Sequence, residues 1–158
     1  MTKYPVYIPS KNRAKSALTA RWFKKWNVPF FLVVEPEQIP LYEAEGWGDY
    51  LLPLPEDDMR LLGSRLWIRE HSIENGFDRH WQFDDNIRSF RRLHKRVRVH
   101  VDPLKAIGIV EDFTDRYTNI GISGFDYEMF VVDTCKKPYV LNVHVYSASL
   151  VNNRMPYK

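Results

Sequence analysis

A chain of 158 residues, 15% aromatic and 27% charged, is long enough for one packed domain and too aromatic for a disordered one. A formal charge of +3 and a pI near 8.9 do not by themselves demand a polyanionic partner, so the placement of the charges has to decide. The single Cys135, the lack of a membrane-length apolar run and the absence of a signal-like start exclude an internal disulfide, a cysteine zinc site and a membrane span; a cytoplasmic protein is expected.

In chain order, residues 4–8 form a short apolar run broken by Pro9 and read as a first strand. Over 14–26 the residues Leu18, Trp22 and Trp26 recur every fourth position, which predicts an amphipathic helix with Ser10 or Asn12 as its cap. Residues 30–34 are apolar throughout, as in a strand buried on both faces. A short helix over 35–45 stopped by Gly46 follows, then a strand over 50–54 curtailed by Pro53 and Pro55. A helix over 59–75 carries Leu62, Leu66, Arg69 and Ile73 on one stripe and ends at Gly76. The run 79–83 is a fourth strand, and it ends abruptly in Asp84, Asp85 and Asn86. This alternation predicts an α/β fold in one domain over 1–158, a mostly parallel sheet flanked by helices with right-handed crossovers. The second half is expected to be mixed or antiparallel. It offers an edge-strand pattern over 97–101, a helix over 103–117, and strand candidates at 120–122, 129–132 and 139–146.

Three stretches carry chemistry. Asp84, Asp85 and Asn86 are hard oxygen ligands at a strand's C-terminal end, which suits Mg²⁺ or Mn²⁺ completed by substrate phosphates; a turn or a helix cap is the plainer alternative. The turn Pro9-Ser10-Lys11-Asn12-Arg13 opens the first helix and offers backbone N–H groups and two cations to a nucleotide diphosphate. Arg65 is placed to clamp such a diphosphate, against the alternative of a surface pair with Glu70 or Glu74. Immediately after the acidic motif, Arg88, Arg91, Arg92, Lys95, Arg96 and Arg98 surround Phe90, a pattern suited to a phosphate backbone or, equally, to a solvated helix face. Asp126 and Glu128 alternate after two glycines, Gly121 and Gly124, whose presence suggests a close backbone approach.

These pieces, with Gly63-Ser64-Arg65, Gly121 to Phe125 and Tyr146 to Asn153 in the same order, resemble the TET/JBP-associated glycosyltransferases of phages and eukaryotes, within the GT-A type. The resemblance implies a Rossmann-like GT-A sheet and transfer of a sugar, glucose expected, from a UDP-sugar to a hydroxymethylated pyrimidine such as 5-hydroxymethylcytosine in DNA. It makes Asp84, Asp85 and Asn86 the DxD-type metal element, with Asp84 also meeting the donor. Pro9, Ser10, Lys11, Arg13 and Arg65 would lie along the nucleotide, and the basic run would lie on the DNA. Relatives of this type continue into an acidic segment not found after Asn153. The chain is therefore expected to be a shortened form, or one that uses Asp126, Glu128 or His144 as its catalytic groups. A non-catalytic sugar-nucleotide- or DNA-binding module and a nucleotidyltransferase are the competing readings; the latter lacks its Gly-rich phosphate loop.

Overall fold

The computed structural model of the chain describes residues 1–134 and 137–155, so Cys135 lies outside the described residues. Strands and helices alternate through the first half as β1 (Val6–Pro9), α1 (Leu18–Lys25), β2 (Phe31–Val34), α2 (Ile39–Ala44), β3 (Leu51–Pro53), α3 (Arg60–Glu74) and β4 (Arg79–Phe83). β3, β2, β1 and β4 pair in parallel in that spatial order. The chain winds outward from β1 to β3, and α3 then returns it to set β4 on the other side of β1. That reversal opens a crevice at the C-terminal ends of β1 and β4, where open α/β sheets hold ligands. Gly46 and Gly76 follow α2 and α3 with φ of 77° and 80°, the left-handed geometry of a helix stop.

The second half adds an antiparallel hairpin, β5 (Phe90–His94) and β6 (Val97–Val101), then α4 (Pro103–Thr114), β7 (Ile122–Gly124) and β8 (Ala148–Asn152). Asp102 caps α4 by accepting the N–H of Leu104 and Lys105, with Pro103 in the first turn. The basic run is thus a hairpin and not a helix face. Strands do not form over 129–132 or 139–146, and the strand expected at 120–122 begins only at Ile122. A turn in which Phe130 N–H donates to the Tyr127 carbonyl, and left-handed backbone at Asn142 and Ser147, break the extended pattern there. The seat beside β4 goes to β8, antiparallel, with β7 outside it. Of the two glycines, Gly124 is the one in close approach: a Cβ on it would lie 2.1 Å from the Ala148 carbonyl oxygen, so what it approaches is β8. No helix among the described residues is long and apolar enough to cross a membrane.

The two faces of the sheet differ in kind. One is apolar: Val6, Ile8, Leu32, Trp81 and Phe83 pack with Ala20 and Phe23 of α1 and Ile107 of α4. Accordingly α1 buries Thr19, Ala20 and Phe23, while Leu18 and Trp26 stand outward, and the helix is shorter than the 14–26 expected. It has no side-chain cap: the N-cap is Ala17, and Ser10 and Asn12 lie well before it and are bonded elsewhere. The other face carries Ile68 of α3 against Tyr7 and Val33, and around them a buried polar network. Tyr7 and His71 share a hydrogen bond of 2.9 Å, His80 Nδ1 lies 2.6 Å from Asn153 Oδ1, and Asn153 Nδ2 donates to Ser72 Oγ and to the Phe77 carbonyl. A polar face asks for small polar residues, so α3 buries Ser64, Ile68 and Ser72, and the stripe of Leu62, Leu66 and Ile73 is exposed.

His80 titrates abnormally for a geometric reason. Burial, opposed in part by the Asn153 bond, lowers its pKa to about 4. Its Nε2 lies 2.8 Å from Gln82 Nε2, an amide donor, so that nitrogen must accept and Nδ1–H must donate to Asn153; the ring is neutral. The unfolded chain therefore binds a proton that the folded chain refuses. Stability present above the ordinary value of 6.5 is lost as pH falls toward 4, by something on the order of 3 kcal/mol. Urea midpoints followed downward from about pH 7 should fall more steeply for the wild type than for His80→Gln; equal slopes would contradict this.

Candidate active site

The loop after β1 is held from beneath by the segment after β2. Tyr42 donates its hydroxyl to Ser10 Oγ and accepts the N–H of Arg13, while Asn12 and Gln38 exchange two bonds of 2.7 and 3.1 Å. Asn12 sits at φ 58°, a left-handed position that asparagine tolerates. Trp47 Nε1 donates to the Ala14 carbonyl and closes the base of the loop. Lys11 reaches Glu35 at 2.6 Å and Asp58 at 3.1 Å; these bonds, to Glu35 first, raise its pKa. Pro9 is the half-buried last residue of β1, aligned with Val33 of β2.

The acidic motif meets this loop across the switch point. Asp85 is buried and has both oxygens engaged, Oδ2 by Ser10 Oγ at 2.9 Å and Oδ1 by Arg13 at 2.7 Å. Asp84 is half-exposed and faces the other way. Its Oδ1 lies 3.3 Å from the Arg65 guanidinium, and its Oδ2 accepts from Ser147 Oγ at 2.6 Å. No helix follows the motif, so it is not an N-cap. Instead its backbone wraps Thr19 at the start of α1: the Thr19 hydroxyl donates to the Asp84 carbonyl and accepts the Ile87 N–H, and Thr19 N–H donates to the Asp85 carbonyl. Asn86 is exposed at the apex. Arg65 pairs with Asp84 and not with Glu70 or Glu74, and its buried Nε–H has no hydrogen-bond partner. Arg69 donates to the Asn153 and Met155 carbonyls.

The catalytic candidates of the second half contact other partners. Glu128 forms ion pairs with Arg91 and Arg98 on the hairpin, Asp126 accepts the N–H of Tyr127, and exposed His144 has its ring 6.0 Å from that of Tyr146. None of the three is hydrogen-bonded or ion-paired to Asp84 or Asp85. Tyr127 of this region connects to Asp84 through Ser147: its hydroxyl bonds the Ser147 Oγ that donates to Asp84. Arg88, just before the hairpin, and Arg92, Lys95 and Arg96 on it are exposed with no ion pair among the described residues, whereas Arg91 and Arg98 are paired with Glu128.

A family model described as TET-Associated Glycosyltransferase matches residues 4–158. The chain belongs to the TET-associated glycosyltransferase family. No curated protein and no solved structure shows a significant match to it. Within this family member, the donor-side residues expected from the sequence meet after β1 and β4 in two adjacent groups, Ser10 and Arg13 on Asp85 and Arg65 on Asp84. Tyr42, Gln38 and Thr19, which hold them there, carry no motif. Ser147 lies within the Tyr146 to Asn153 segment and is held at φ 53° to present its hydroxyl to Asp84.

Both carboxylates of the motif are hydrogen-bonded, Asp85 to Ser10 and Arg13 and Asp84 to Arg65 and Ser147, and they differ in exposure, Asp85 being buried. Half-exposed Asp84 beside exposed Asn86 fits an ion whose remaining ligands are phosphates and water. Among the described residues, three carboxylates gather within 4.8 Å of one another: Glu35 and Glu37, after β2, and Asp57, after β3.

The turn of the hairpin carries a backbone cost. Lys95 and Arg96 both have positive φ, 49° and 68°, in the two-residue turn that favours Asn-Gly. Each side chain in that conformation costs about 1 kcal/mol. Replacing the pair by Asn-Gly in this TET-associated glycosyltransferase family member should raise the melting temperature by several degrees. The same change should weaken binding of a DNA duplex and flatten its salt dependence, measured by anisotropy, by about two phosphate contacts.

Proposed function

We propose that the protein transfers a sugar, glucose expected, from a UDP-sugar to a hydroxymethylated pyrimidine in DNA, on a GT-A-like version of this sheet. The observation that carries the reading is Arg65. Its guanidinium stands at the C-terminal end of β4, 40% exposed and with a single long bond to half-exposed Asp84, and so has donor capacity for an anionic group. In this reading the donor's diphosphate lies between Arg65 and the Lys11–Arg13 loop. As the sugar bond breaks, negative charge grows on the leaving diphosphate, and a pre-positioned guanidinium stabilises it most where water is excluded. Asp84, with Asn86, would hold a Mg²⁺ or Mn²⁺ ion that neutralises the same charge. Asp85 acts one step back, fixing Ser10 and Arg13 in the loop. The free cations on and just before the hairpin, Arg88, Arg92, Lys95 and Arg96, take the phosphate backbone of the acceptor.

Purified protein with Mn²⁺ and a panel of UDP-sugars should release UDP only when DNA containing hydroxymethylated pyrimidines is present. No release with any donor, from folded protein, would overturn the proposal. The absence of any hydrogen bond or ion pair between Asp126, Glu128 or His144 and the acidic motif favours one second reading, a sugar-nucleotide- or DNA-binding module without turnover. Calorimetry showing UDP binding with no product in the same assay would select it.

A further inference from the structure

A second groove lies on the outer side of the molecule, between α1 and the root of the hairpin. It has a volume of roughly 370 Å³, within the range of small-ligand clefts, and is lined by Trp22, Lys25, Trp26, Arg88, His100 and Asp102. Its aromatic wall is pre-built. Trp22 packs edge-on against Phe90 at 4.9 Å and tilted against Phe23 at 5.3 Å, and the Trp26 N–H donates to the Trp22 carbonyl, which fixes the helix end. Trp26 is nevertheless 43% exposed. The charge around the rings is positive. Lys25 and Arg88 are exposed and have no ion pair among the described residues, and the single carboxylate, Asp102, is occupied in capping α4. Arg88 follows Asn86 with only Ile87 between them, so the groove begins where the acidic motif ends.

We propose that this groove takes an unpaired base of a single DNA strand, stacked on Trp26, with the flanking phosphates on Lys25 and Arg88. The inference rests on the DNA reading above and adds to it the form of the partner. A base inside a duplex has no free π-face to offer, whereas a base in a single strand, or one turned out of its stack, does. A neutral sugar would also stack on tryptophan, but it would leave two uncompensated cations beside it. A phosphate on each side of the base satisfies both. The groove thus gives the strand leaving the crevice a second point of attachment.

The test uses labelled, unmodified single-stranded and duplex oligonucleotides without donor or metal, read by anisotropy and tryptophan quenching. Trp26→Ala should weaken single-strand binding roughly 5- to 100-fold, Trp26→Phe should restore most of it, and duplex binding should change little. Lys25→Ala should lower the salt slope for the single strand by about one phosphate contact. An Arg92→Ala, Arg96→Ala double variant serves as the hairpin control. If that control weakens binding while Trp26→Ala does not, the groove is overturned and the DNA reading stands. Equal loss of single-strand and duplex binding in Trp26→Ala also overturns the groove. If the wild type binds neither oligonucleotide, the DNA reading falls and the groove with it.

Discussion

Arg65→Ala is expected to lower the rate of UDP-sugar turnover by about 10²- to 10³-fold, or about 2.7–4 kcal/mol of transition-state stabilisation. The loss should fall on kcat and not on stability. Arg65 makes one long bond to Asp84 and its side chain is 40% exposed, so the fold depends on it little. Arg65→Lys should recover only part of the rate, because a single ammonium cannot reproduce the planar fork that meets two phosphate oxygens together. Asp84→Asn should fall in the same range and, unlike Arg65→Ala, should also weaken the response to added Mn²⁺. Steady-state kinetics with circular dichroism on each variant decides it. A kcat for Arg65→Ala within about threefold of wild type would remove Arg65 from the site.

Asn153→Ala is expected to be the most destabilising single change on the polar face, by about 3 kcal/mol or more. The amide accepts from His80 and donates to Ser72 Oγ and the Phe77 carbonyl, and all of these are buried or partly buried. Truncation leaves the neutral His80 with a donor and no acceptor in a place water does not reach. For a chain of this size, the change should lower the melting temperature by about 6–12 °C. Asn153→Asp is the useful companion. It keeps the acceptor for His80 but loses both donated bonds and buries a charge, so it should do no better. A cost under about 1 kcal/mol in urea unfolding would show that the network is slack.

Much of the parallel half was legible in the sequence because there each segment's pattern has one reading. The continuous apolar run before Glu35 had to be an inner strand, and Gly46 and Gly76 end their helices in the conformation glycine permits. Local pattern failed where tertiary partners chose. The sheet's polar face let α3 bury serines and expose leucines, inverting the rule by which apolar stripes are assigned. The hairpin turn carries Lys95 and Arg96, with no glycine to announce it. The alternation in 139–146 is stronger than in Ala148–Asn152, yet the latter pairs with β4. Among site residues, the charged groups stood out because neighbouring carboxylates and arginines need compensation. Their supports Tyr42, Thr19 and Ser147 are ordinary residues whose partners lie far away in sequence, and only the folded chain joins them.

The antiparallel position of β8 also dictates an order of assembly. β7 touches the main sheet only through β8, so although it is synthesised earlier it has no seat until residues 148–152 arrive. In the interval β4, buried along its whole length in the finished protein, presents Trp81 and Phe83 on an open strand edge. Such an edge is a template for pairing between chains. Refolding yield should therefore drop with protein concentration more than the stability of the finished fold would suggest. A synthetic peptide spanning 146–155, added in trans during refolding, should raise that yield by covering the edge first.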